Sequence, residues 1–168
     1  MTTTTELTLF ADYFQIHVCD EDADGDLGDA WTTEAVADQL AVAEDALGIG
    51  TVVNVNVSVT VEILPHEPSE DSSEFDHVVE ASVDVPSGRL SVMGCSDYGP
   101  DAAAFEVPEG WNRVRASRSN LARAAQADID SAKSPETTER IRIQVWPAPE
   151  LPSRIVKRWV RDDDKGHA

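Results

Sequence analysis

Residues 52–64 read Val52-Val53-Asn54-Val55-Asn56-Val57-Ser58-Val59-Thr60-Val61-Glu62-Ile63-Leu64. Val53, Val55, Val57, Val59, Val61 and Ile63 fall on one face, and Asn54, Asn56, Ser58, Thr60 and Glu62 on the other. Strict period two means a strand with one face on a core and the other in water. At ~3.4 Å per residue the stretch would run about 40 Å, long enough to bend across two sheets. Pro65 ends it.

Shorter runs of the same kind lie on both sides. Residues 7–19 read as one strand, with Phe14, Ile16 and Val18 alternating with Tyr13, Gln15 and His17. Thr32 or Thr33 caps a short helix through about Leu40. Residues 40–51 read as a hairpin turning at Glu44-Asp45, with continuation of the helix through Leu47 as the competing reading. Val79, Ala81, Val83 and Val85 form a further strand, Pro86-Ser87-Gly88 turns the chain, and Leu90 and Val92 return. Phe105 and Val107 lead through Pro108-Glu109-Gly110 to a strand from Trp111 to Ser117. A short Ala-rich helix follows around Leu121–Ile129, stopped by Ser134-Pro135. Ile141, Ile143 and Val145 mark the last strand. The expected fold is all-β: a β-sandwich of about seven or eight antiparallel strands with one or two short helices. The body is expected over residues 1–148. Residues 149–168 form a basic amphipathic tail, with Ile155, Val156, Trp159 and Val160 at helical spacing, folded onto the body or free to recruit a partner.

Charge is the strongest functional signal. The formal net charge is -19 over 168 residues. Residues 1–88 hold 20 acidic residues and no Lys or Arg, whereas residues 89–168 hold 12 acidic residues and all 13 basic ones. Such a surface repels nucleic acid and anionic membrane and attracts basic partners. No apolar run of membrane-spanning length and no secretory leader pattern is present, so a cytoplasmic protein is expected. Cys19 and Cys95 are expected as free thiols.

The densest acidic stretch is Asp20-Glu21-Asp22-Ala23-Asp24-Gly25-Asp26-Leu27-Gly28-Asp29-Ala30-Trp31. Asp20, Asp22 and Asp24 occupy positions 1, 3 and 5 of a calcium loop and Gly25 the turn at position 6. However, Trp31 stands where a bidentate Glu belongs, and a strand precedes the loop in place of a helix. Calcium held by Asp20, Asp22, Asp24 and Asp26 is therefore an alternative reading, beside a solvated acidic loop. A second acidic loop carries Glu70, Asp71 and Glu74. No nucleophile motif or phosphate loop occurs. An unrecognised hydrolase would have to gather His77, Asp76 and Cys95 in one pocket. The aromatics Tyr13, Phe14, Trp111 and Trp146 fall in strand patterns, where core packing is the default.

Asp12-Tyr13-Phe14-Gln15-Ile16, Trp31-Thr32-Thr33-Glu34-Ala35-Val36, Asp76-His77-Val78, Val85-Pro86-Ser87-Gly88-Arg89-Leu90, Gly94-Cys95-Ser96-Asp97-Tyr98, Val107-Pro108-Glu109-Gly110-Trp111 and Val145-Trp146-Pro147 together resemble a family of uncharacterised bacterial proteins over about residues 9–148. The order of parts is similar, more distantly, to the competence protein J family of nuclease inhibitors. None of these motifs is catalytic. The resemblance implies a binding or inhibitory module, and the charge points independently to a basic partner, so an inhibitor or immunity protein for a nuclease or toxin, with no cofactor, is expected. Carboxylates can cover a groove built to grip phosphates. On that reading the partner face uses Asp20, Asp22, Asp24, Asp26 and Asp29, with Glu70, Asp71 and Glu74 as a second group.

Overall fold

In the computed structural model, residues 2–23, 26–97 and 99–161 are described. Their strands form two sheets packed face to face. The first holds β1 (Thr3–Phe10), β5 (Asn56–Ile63), β10 (Arg140–Pro147), β9 (Gly110–Ser119), β6 (His77–Val85) and β11 (Arg154–Lys157), in the order β1-β5-β10-β9-β6-β11. The second holds β3 (Leu40–Val42), β4 (Ala46–Gly50), β2 (Gln15–Asp20), β7 (Arg89–Gly94) and β8 (Ala103–Glu106), in the order β3-β4-β2-β7-β8. Two short α-helices, α1 (Thr33–Asp38) and α2 (Leu121–Ala127), complete the chain. Among the described residues, no helix is long and apolar enough to cross a membrane.

The inward faces follow the period-two patterns. Val57, Val59 and Val61 of β5, Val79, Ala81 and Val83 of β6, and Ile141, Ile143 and Val145 of β10 meet Ile16, Val18, Leu47, Ile49, Leu90 and Val92 of the second sheet in one buried cluster. The two-sheet, all-β architecture is thus the expected one, with eleven strands where seven or eight were expected. Not every pairing is antiparallel: β10 lies parallel to β5, with Ile141 opposite Val59 and Ile143 opposite Val61.

Three departures have local causes. The Val-rich stretch becomes a strand only from Asn56, because residues 51–55 carry the chain from the second sheet to the first. Val52 and Val53 are buried in that passage, and the Val52 N–H is held by Glu139 Oε1 at 2.8 Å. Residues 7–19 are two strands in different sheets, not one. The chain leaves β1 at Ala11, whose N–H bonds Val55 O at 3.0 Å, and turns through Tyr13 and Phe14, both at positive φ (57° and 59°). Among its described residues, 149–161, the tail forms a strand and no helix. β11 pairs antiparallel with the β6 edge, Ile155 opposite Val79, with an irregularity before Lys157. A free β6 edge offers unpaired backbone groups that β11 satisfies, which outweighs helical spacing in so short a segment.

Part of the charge asymmetry is architectural. A polar row runs across the outer face of the first sheet, Glu62 opposite Gln144, Gln144 opposite Arg115, Arg115 opposite Glu80, and Glu80 opposite Arg154. Arg115 Nε donates to Glu80 Oε2 at 2.7 Å, with both side chains almost fully buried. Arg142 grips Asp71 through both terminal nitrogens, at 2.8 and 2.7 Å, and stacks over the Phe75 ring at 4.4 Å. Acids of the first half of the chain therefore pair with arginines of the second, across strands distant in sequence.

Candidate functional site

Each predicted acid has its own place. Asp20 is turned inward, 2% exposed. Its Oδ1 accepts from the Ser87 hydroxyl (2.6 Å) and backbone N–H (3.1 Å), and its Oδ2 from the Asp22 N–H (2.9 Å). With Oδ1 committed to the Pro86–Gly88 turn and Oδ2 to the Asp22 backbone, Asp20 is not part of an outer surface. Asp22, Asp26 and Asp29 are exposed, and Asp26 Oδ1 accepts the Gly28 N–H at 3.0 Å. Asp24 and Gly25 lie outside the described residues, as do Tyr98 and the acids of residues 162–164. Among the described residues, no three His, Cys, Asp or Glu side chains converge as a metal site.

The second acidic group does not join the first. Glu70 and Glu74 are exposed, but Asp71 is spent on Arg142, and that bond holds its carboxyl below the usual carboxylate range. The 65–75 loop lies over the outer face of the first sheet, where Ser69 O accepts from Arg115 at 3.1 Å. The 20–31 loop lies over the outer face of the second, where Leu27 and Trp31 pack on Cys19 and Ala46. The two groups therefore occupy opposite faces of the sandwich.

Asp76, His77 and Cys95 do not form a common centre. Asp76 Oδ2 accepts the Leu121 N–H at 3.1 Å. The buried His77 ring donates through Nε2 to Asp38 O (2.9 Å) and accepts the Trp159 N–H at Nδ1 (3.1 Å). Burial, reinforced by the Arg118 charge, pushes its pKa down to about 4, so it stays neutral and structural. Cys95 lies just past β7 in the other sheet, and burial with the nearby Asp12 charge raises its thiol pKa, which disfavours a thiolate.

What stands out instead is the corner between β1 and β2. Tyr13 is 71% exposed and Phe14 50%, and both occupy the left-handed region that bulky residues rarely adopt. The corner is held from both sides: the Tyr13 N–H donates to Asp12 Oδ1 (3.1 Å), and Phe14 O accepts the Thr51 N–H (2.9 Å). The strained backbone thus projects two rings into solvent. Beside them opens a cleft of about 370 Å3. Trp31 and the exposed Val36 of α1 form a wall of it, with Gln15, Gln39, Gly50 and Thr51 completing the lining.

The walls are built deliberately. The Trp31 indole N–H donates to Gln15 Oε1 at 2.9 Å. A Cβ on Gly48 would lie 2.7 Å from the Trp31 ring, and one on Gly50 2.9 Å from Gln39 Cβ, so these two positions of β4 stay bare to let the walls pack. Thr32 Oγ1 caps α1 by accepting the Ala35 N–H at 3.1 Å. Asp12, Asp29 and Glu34 each stand within two residues of a wall residue. The resulting surface is an exposed aromatic cluster, the composition of a protein-docking hot spot. Alternation assigned Tyr13 and Phe14 to strand packing. The available signal was two consecutive aromatics after Ala11-Asp12, since a strand cannot bury both neighbours on one face.

No family model matches the chain, and no curated protein matches it. Among solved structures, ComJ from Bacillus subtilis, described as an inhibitor of the DNA degrading activity of NucA, matches 88% of this chain and 99% of its own with a TM-score of 0.66 and 15% identity. The crocagin biosynthetic gene J protein matches 89% of this chain and 99% of its own, with a TM-score of 0.61 and 19% identity. The chain shares their fold, as its strand and turn motifs led us to expect for the competence protein J family.

Proposed function

We propose that this protein is a binding module that inhibits a basic protein, such as a nuclease, by docking the aromatic corner and the exposed acids of the 20–31 loop on the partner's phosphate-binding groove. The observation that carries this reading is the exposure of Tyr13 and Phe14 on left-handed backbone, in a chain whose first 88 residues hold 20 acids and no Lys or Arg. A corner whose backbone is already fixed by hydrogen bonds adds little ordering cost on association, and a strongly acidic chain speeds encounter with a cationic surface. The shared fold with an inhibitor of a DNA-degrading activity supports the same class of partner.

The test begins with capture of partners from native lysate on the purified protein at low and high salt. The captured protein is then assayed for nuclease activity with and without added inhibitor. A salt-sensitive complex with a basic nuclease, whose activity falls on addition of the protein and recovers with a Tyr13→Ser/Phe14→Ser variant, is the expected result. A partner inhibited equally by that variant refutes the assignment of this corner.

A further inference from the structure

β1 lies at the margin of the first sheet, with β5 as its paired neighbour. The end of β1 fixes which way its backbone groups point. The Ala11 N–H bonds Val55 O, and along an antiparallel ladder alternate residues share that direction, so Leu9, Leu7 and Thr5 turn their N–H and C=O to β5. The far side of β5 agrees, since Ser58 and Leu64 donate to Glu139 O and Val145 O. Thr4, Glu6 and Thr8 therefore turn their backbone groups to the open edge, and all three are exposed. Sheets guard such edges with short strands, irregular pairing, Pro or Lys. Among the described residues, the other three edge strands are guarded: β3 has three residues, β8 four, and β11 four with Arg154, Lys157 and a shift in register. β1 instead runs eight residues in unbroken register, with Glu6 as its single charge and neither Pro nor Lys. Its inner row carries Leu7 and Leu9, which are only partly buried against the core.

We infer that β1 pairs antiparallel with β1 of a second copy of this chain, about a twofold axis at Leu7, joining the two copies' first sheets into one. The strand's own pattern selects both partner and register. An antiparallel twofold sets outward-turned residues against outward-turned residues. An axis at Leu7 places Glu6 opposite Thr8 of the other copy, Thr5 opposite Leu9, and Leu7 opposite Leu7. The half-covered leucines then meet, and the two Glu6 carboxylates stay apart. An axis at Glu6 would set those carboxylates directly against each other, and one at Thr8 would shorten the overlap. Pairing of one strand per copy is small beside a standard interface, which sets the association in the micromolar range or weaker. Two chains of net charge -19 repel at long range, so the association strengthens with salt, opposite to docking on a basic partner.

The test is analytical ultracentrifugation of the full chain, from micromolar to millimolar concentration at low and high salt, with variants at the exposed Thr8. Expected is a monomer–dimer equilibrium that tightens with salt. At low salt Thr8→Lys, which sets a lysine opposite each Glu6, tightens it about threefold, and Thr8→Glu weakens it by a similar factor. Glu67→Gln, which changes the net charge as Thr8→Lys does, leaves it near that of the unaltered chain. In a Cys95→Ser background, Leu7→Cys forms an intermolecular disulfide under mild oxidation and Glu6→Cys does not, because residues facing across the axis at Leu7 are a close, non-hydrogen-bonded pair. A chain that stays monomeric throughout overturns the inference, as does a dimer indifferent to both Thr8 variants. A disulfide from Glu6→Cys in place of Leu7→Cys overturns the register.

Discussion

Replacing Tyr13 separates the backbone strain at this corner from what its ring does. The side chain is 71% exposed, so less than a third of its surface is covered. With aromatic side chains offering roughly 150–250 Å2 and burial worth ~25 cal/mol per Å2, Tyr13→Ala should cost about 1–2 kcal/mol. Alanine keeps the left-handed penalty, since Tyr13 sits at φ 57°, ψ 28°. Glycine does not: it recovers roughly 1–2 kcal/mol of that penalty and gives back about 0.5–1 kcal/mol as extra freedom of the unfolded chain. Tyr13→Gly should therefore be more stable than Tyr13→Ala by about 0.5–1 kcal/mol, the reverse of the order in an ordinary strand. For a chain of this size that is a melting temperature about 1–4 °C higher, resolvable by circular dichroism melts and urea titration. Both variants lack the ring and should bind a partner equally poorly. A glycine variant that melts at or below the alanine variant would mean that the corner is not left-handed in solution, and the argument that strain presents these aromatics would fail.

Other perturbations probe the buried network and the acidic loops. Glu139 and Arg118 are both 0% exposed and pair at 2.9 Å, so Glu139→Gln leaves a buried cation and should cost about 3–5 kcal/mol by denaturant titration, whereas Arg118→Met added to Glu139→Gln, whose amide oxygen still accepts the Val52 N–H, should recover much of that loss. The unfolded His77 imidazole takes up a proton near pH 6.5 but the folded one only near 4, so stability should fall as pH drops through that window, by about 1.4 kcal/mol per unit from this residue. That slope should vanish in His77→Gln. Asp22→Asn/Asp26→Asn/Asp29→Asn should slow association with the partner and flatten its salt dependence, measured by stopped-flow, while Glu70→Gln/Glu74→Gln on the opposite face should leave both unchanged. Because Asp20 is consumed by Ser87 and Asp22, calcium or a chelator should leave the melting temperature where it is.

Period two in residues 57–63, 79–85 and 141–145 made the inner faces readable, because alternation reports burial directly. What alternation does not report is which sheet a strand joins. The apolar rhythm of Leu7, Leu9 and Ala11 resumes at Ile16 and Val18 one position out of phase, and that slip falls where the chain changes sheets. The tail shows a related limit: Ile155, Val156 and Trp159 satisfy a helical spacing, but the unpaired β6 edge decides the outcome. At the site, charge identified the 20–31 loop as a surface and could not distinguish Asp20, which faces Ser87, from Asp22, which faces solvent. The aromatic corner was missed because alternation was extended through Tyr13 and Phe14, although two adjacent aromatics cannot both face one core and the left-handed backbone turns both outward.

The parallel pairing of β5 with β10 also orders events in time. β10 is the only neighbour of β5 besides β1, yet it is encoded some 80 residues later. At ~5–20 residues per second of synthesis, roughly 4–17 s separate the completion of Ile63 from that of Pro147. During that interval the valine-rich ribbon waits with an open edge, the kind of segment that invites pairing between chains. The portion then exposed is the half of the chain without a single cation. Apart from Arg89 of β7, which pairs with Glu21, its arginine partners arrive with β9, β10 and the tail, so until then nascent copies carry a net charge near -20 and repel one another. The uneven placement of charge along the chain thus protects it on the ribosome, before it serves any partner.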